Sequence, residues 1–157
     1  MQTAWPASTT ITAGAQANPD YGTAIDLDLP AVLTSAAANQ SQGTIDLLFA
    51  YDTAADDYEL LSPYKAYQED ISVAAHYDPT QVQDIKLVRV ASKPFSQEAA
   101  EAAYNAGPQA DETSVQDGDQ FIVKTTEGAY VYILAQSITG TGSSDGVATL
   151  VLSIGTI

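Results

Sequence analysis

Residues 44–51 read T-I-D-L-L-F-A-Y, the one long apolar run in the middle of the chain. Side chains alternate along an extended strand, so Ile45, Leu47, Phe49 and Tyr51 share one face. Asp46, Leu48 and Ala50 share the other, and beyond Asp46 both faces are apolar. Such a strand belongs inside a sheet that is covered on each side. The rest of the chain must therefore supply its neighbours and its covering layers, which predicts a mainly β fold.

The flanking segments are read for those neighbours. Residues 24–29 alternate, with Ile25, Leu27 and Leu29 inward and Asp26 and Asp28 outward, and Pro30 ends the strand. The Ala-rich stretch 31–39 predicts a short helical turn, with 39–43 as a loop. Ser62-Pro63 breaks the segment that precedes it. Periodicity is weak over 64–83, where 71–75 is read as a short strand and Tyr77-Asp78-Pro79 as a turn. Residues 84–91 form a better strand.

The clearest helix starts at Ser96, whose hydroxyl suits an N-cap, with Glu98 in the first turn where the helix dipole favours it. Ala100, Ala103 and Tyr104 give it a buried stripe. Gly107 and Pro108 are expected to end it with a left-handed cap and a stop. The last third reads as a meander over 120–126, 129–138 and 147–154. In its final strand Ala148, Leu150, Leu152 and Ile154 face the core.

The expected fold is a β-sandwich or partly open barrel of about seven to eight strands, with one short α-helix at about 96–106. Residues 1–23, rich in Ala, Thr, Gln, Pro and Gly, are expected to form an extended N-terminal arm that carries Trp5 and a short β segment at 9–12. Residues 24–157 are expected to be a single β-rich domain.

Charge narrows the partners. Twenty Asp and Glu against five Lys and Arg give a formal net charge of -15. Nucleic-acid binding needs basic side chains to neutralise phosphates, so it is not expected. No apolar run reaches the roughly 18 residues that span a bilayer, so membrane insertion is not expected either. The chain has no cysteine, which removes disulfides, thiolate zinc sites and cysteine nucleophiles. Residues 1–7 show neither a basic n-region nor an apolar h-region, so no signal peptide is expected there.

Two blocks carry a family likeness. One is A-A-A-N-Q-S-Q-G-T-I-D-L-L-F-A-Y-D over residues 36–52, followed by L-L-S-P at 60–63. The other is V-Q-D-G-D-Q-F-I-V-K-T-T-E-G-A-Y-V-Y-I over 115–133, followed by I-T-G at 138–140. Together they resemble a group of secreted or lipid-anchored surface domains of Bacteroidota and relatives. The resemblance implies a β-rich fold and an extracellular or cell-surface location. It implies no activity, because such domains are generally of unknown function. The chain departs from the group in lacking an anchoring cysteine and in its few lysines.

Candidate chemistry is sparse. His76 is the single histidine, and no G-x-S-x-G motif accompanies it. Asp52, Asp56, Asp57 and Glu59 cluster after the central strand, and Asp117 and Asp119 flank Gly118. Hard cations take oxygen ligands of this kind, so Asp52, Asp56, Asp57, Asp117 and Asp119 are the candidate calcium ligands, although the spacing is not that of a D-x-D-x-D-G loop. No other cofactor is expected. Nine tyrosines against three phenylalanines is a skewed ratio. Tyr58, Tyr64, Tyr67 and Tyr77 fall in the segment of weakest periodicity, and exposed rings of this kind stack on sugars or anchor interfaces.

These readings favour a non-enzymatic surface module that acts through protein–protein contacts, with itself or another surface protein, and self-assembles through its arm. A carbohydrate-binding module using the four tyrosines on a polysaccharide is the alternative. A small acid-catalysed hydrolase is the third.

Overall fold

The computed structural model describes residues 2–71, 74, 77–140 and 142–155. Ten strands form two antiparallel five-stranded sheets packed as a β-sandwich. In the first sheet the spatial order is β1 (Thr9–Gly14), β10 (Val147–Ile154), β9 (Tyr130–Thr139), β8 (Gln120–Lys124) and β6 (Leu87–Val90). In the second it is β3 (Ala31–Leu33), β2 (Ala24–Asp26), β4 (Leu47–Asp52), β5 (Asp57–Leu61) and β7 (Glu112–Ser114). Three helices, α1 (Ser35–Gln40), α2 (Pro63–Gln68) and α3 (Gln97–Ala106), and a 3-10 turn at Gln42–Thr44 complete the described elements.

β4 is the middle strand of its sheet, and its two apolar faces serve two cores. Leu47 and Phe49 point between the sheets, where they meet Phe121, Val131, Ile133, Leu150 and Leu152. Leu48 and Ala50 point outward under Ala38 of α1, Ala66 of α2, Tyr77 and Val82. A third cluster covers the outer face of the first sheet, where Ala100 and Tyr104 of α3, with Trp5 against them, close over Val88, Ile122 and Tyr130. The result is two sheets with a partial covering layer outside each.

Several expectations are corrected here. Among the described residues the β-sandwich has ten strands, where about seven to eight are expected, and three helices, where one is expected. The 24–29 strand stops at Asp26, and Leu29 lies in the following turn, 71 % exposed. Asp26 is buried, because the outer face of its sheet is covered. Pro63 opens α2 at its first turn, where a missing N–H costs nothing. Asp70, at φ 55°, then ends that helix, and the Ile71 N–H reaches back to Ala66 O. Ile71 lies outside any strand, and most of the 71–75 strand reading (residues 72, 73 and 75) falls outside the described residues, as does His76. Ser96 does cap α3, accepting the Ala99 N–H at 3.1 Å. Gly107 is not left-handed, with φ at -82°. Its missing side chain matters for space, since a Cβ there would meet Val88 Cγ1 at 2.3 Å.

Residues 2–23 fold back onto their own domain. The Gln97 N–H donates to Thr3 O, the Thr3 N–H to Glu98 Oε2, and Trp5 Nε1 to Pro94 O. β1 then pairs with β10 in the same chain, from Thr9 opposite Leu152 to Gly14 opposite Val147.

Candidate functional site

The β4–β5 hairpin places most of the candidate calcium ligands. Asp52 and Asp57 face each other across its base, and Glu59 follows Asp57 on the same face of β5. The Asp52 Oδ1 accepts the N–H groups of Ala54 and Ala55, which shapes the loop. Asp56 takes the left-handed conformation at φ 56°, and the Tyr51 hydroxyl donates to its Oδ1. That bond and the burial of the ring push the Tyr51 phenol up to about 12. Asp56 is thus held by Tyr51, apart from the carboxylates on the outer face.

The structure gathers three carboxyl clusters among the described residues, each with oxygens within 4.8 Å of one another: Asp52–Asp57–Glu59, Glu59–Glu69–Glu112 and Asp26–Asp28–Asp46. Asp117 and Asp119 join none of them. Asp117 Oδ1 accepts the Ile138 N–H at 2.6 Å, and Asp119 Oδ1 pairs with Arg89 at 2.9 Å. Asp56, Asp57 and Asp117 do line one cleft of about 430 Å³ with Tyr58.

Glu59 belongs to two of the clusters and is only 5 % exposed. Its Oε1 is fully enclosed and has no hydrogen-bond partner. Burial first, and then the charges of Glu112, Glu69, Asp52 and Asp57, push its carboxyl up to about 8. A second cleft of about 430 Å³ opens beside it, lined by Asp52, Thr53, Glu69 and Asp70 among others. Lys65 of α2 lies 3.5 Å from Glu69 and 3.9 Å from Glu112.

The third cluster is satisfied internally. Asp46 accepts the N–H groups of Leu27 and Thr126, both at 2.7 Å. Asp28 accepts the Thr125 hydroxyl at 2.7 Å, and Asp26 accepts the Asp28 N–H at 3.1 Å. Burial is the main cause that raises Asp46, to about 7, and it raises Asp26 as well. Neither this cluster nor the Glu69–Glu112 pair is visible in sequence spacing, because each joins residues distant along the chain. Glu59 is visible there, through its shared face with Asp57.

The four candidate tyrosines fall into two packing environments. Tyr58 stacks on Phe49 at 5.4 Å and donates from its hydroxyl to Ser143 O at 2.7 Å. Tyr64, Tyr67 and Tyr77 pack in the outer cluster of the second sheet instead. Tyr64 and Tyr67 form a half-buried pair 6.4 Å apart, while Tyr77 is 3 % exposed.

The two flanks of the sandwich differ. On one, the Leu87–Ala110 bridge joins β6 to the residues just before β7, and Arg89 reaches Thr113 Oγ1 and Ser114 O of β7. On the other, β1 and β3 touch each other, and each has a strand partner on one side only. β1 reads T-T-I-T-A-G and β3 reads A-V-L, with no ionisable residue and no proline. No described helix is long and apolar enough to cross a membrane. No family model matches the chain, and no curated protein matches its sequence.

Proposed function

We propose that this protein is a non-catalytic, extracellular or cell-surface module that assembles with further copies of itself through the β1–β3 flank. One observation carries the reading: the two terminal strands that meet on that flank carry no charge and no proline, whereas β6 carries Arg89 and β7 carries Glu112. Soluble β proteins blunt open edges with charges, prolines or covering loops, because an unguarded edge is a template for another strand. Here charge guards only the β6–β7 flank.

The chain's own charge limits where a second copy can approach. Two chains of formal charge -15 repel each other over most of their surfaces. An uncharged pair of edges is where such copies approach at least cost, and added salt screens the remainder. The surface location rests on the resemblance of residues 36–63 and 115–140 to surface domains.

The test is a charge placed on the edge. Thr10 is exposed on β1, and Thr10→Lys adds a cation without removing a core contact. The reading predicts that wild-type protein elutes as a dimer or larger species and that Thr10→Lys shifts it to the monomer with unchanged circular dichroism. Identical elution of the two proteins contradicts it.

A further inference from the structure

Of the three carboxyl clusters, one has the features of a site for a ligand. In Asp26–Asp28–Asp46 the carboxylates are engaged by N–H groups and hydroxyls of their own chain. In Glu59–Glu69–Glu112 an internal cation is already present, since Lys65 reaches Glu69 and Glu112. The Glu112 Oε2 is enclosed and unpartnered, while the Oε1 of the same carboxylate lies 3.9 Å from the Lys65 ammonium group. In Asp52–Asp57–Glu59 the Asp52 Oδ1 accepts the Ala54 and Ala55 N–H groups, but among the described residues no Lys or Arg pairs with any member, and Glu59 is buried with an unpartnered oxygen.

We propose that Asp52, Asp57 and Glu59 hold a calcium ion beside the cleft that Asp52 and Glu59 line. Calcium binds oxygens at 2.3–2.6 Å, so oxygens on opposite sides of one ion lie about 5 Å apart. One carboxylate oxygen from each of the three residues lies within 4.8 Å of the other two, inside that span. Burying an unpaired carboxyl oxygen costs free energy that a bound cation returns. Thr53 lines the same cleft and offers a neutral oxygen, and water completes the six to eight ligands that calcium takes.

The test is a titration of chelator-treated protein with calcium chloride by calorimetry, at about 0.15 M salt to screen diffuse attraction. Wild type is compared with Glu59→Gln, with Asp57→Asn and with Glu127→Gln, a change at an exposed hairpin position. The expected result is one saturable event in wild type, weakened on the order of tenfold or more in Glu59→Gln and Asp57→Asn and unchanged in Glu127→Gln. Calcium should also raise the Tm of wild type but not of Glu59→Gln. No saturable event in wild type overturns the proposal. So does equal binding by Glu59→Gln, or an equal loss in Glu127→Gln.

Discussion

The carboxylate of Asp46 accepts the backbone N–H of Thr126 at 2.7 Å, which fastens the start of β4 to the β8–β9 hairpin of the facing sheet. The other oxygen of the same carboxylate accepts the Leu27 N–H. One fully buried side chain therefore satisfies two backbone donors from different sheets. Replacing Asp46 by Ala strands both, at about 1–3 kcal/mol each. Asp46→Ala should lower stability by about 2–6 kcal/mol, read from urea unfolding. A loss below about 0.5 kcal/mol would show that the contact does not hold the sheets together.

Stability should fall as pH rises. Asp46 is raised to about 7 and Glu59 to about 8, both mainly by burial, so the folded state holds their protons more tightly than the unfolded chain does. Their contribution is complete below the ordinary carboxylate range and is lost as pH climbs through about 7 and 8. Asp78 and Glu98 are shifted down by hydrogen bonds from Thr80 and Thr3, and their contribution disappears only on acidification below that range. Calcium-free protein should therefore melt higher at pH 5 than at pH 8, by about 5 °C or more. A melting point that is flat or rises over this interval contradicts the assignment.

Tyr58 fills the space left by two glycines. A Cβ on Gly146 would meet its ring at 2.3 Å, and one on Gly140 would meet its hydroxyl at 2.1 Å. Gly146→Ala should cost about 1–3 kcal/mol by overpacking. Tyr58→Phe should cost about 1 kcal/mol through loss of the bond to Ser143 O. Thermal melts of the two variants check both values. A neutral Gly146→Ala would mean that the loop gives way.

Ser96 joins a helix cap to the N-terminal segment. Its hydroxyl accepts the Ala99 N–H and donates to Gln2 Oε1 at 2.6 Å. Ser96→Ala should cost about 1 kcal/mol as a lost cap. It should also raise amide exchange at Gln97 and Thr3, which sit beside the cap. Exchange confined to α3 would show that the N-terminal segment is held without it.

How far the fold could be read follows from the same contacts. β4 was legible because both of its faces are apolar, and α3 because Ser96, Glu98, Gly107 and Pro108 bracket a helical stripe. α2 was not legible. P-Y-K-A-Y-Q is too short to show a period, and Pro63, which starts it, reads equally as a stop. The inward placement of Leu29 failed because alternation was carried past the last paired residue, Asp26. β7 was invisible because E-T-S owes its strand form to pairing with β5. Of the carboxylate site, Asp52 and Asp57 could be picked out from their closeness in sequence. Asp56 shares that closeness, but the turn points it at Tyr51. The unguarded flank could not be read at all, since β1 and β3 become neighbours only in the folded sandwich.

The mass of the purified protein in solution, by light scattering at low and moderate salt, tests the central claim most directly. Assembly through the β1–β3 flank predicts a mass of two or more chains of 16.4 kDa, growing as salt screens the acidic surfaces. A mass of 16.4 kDa at every salt and concentration tested would contradict it.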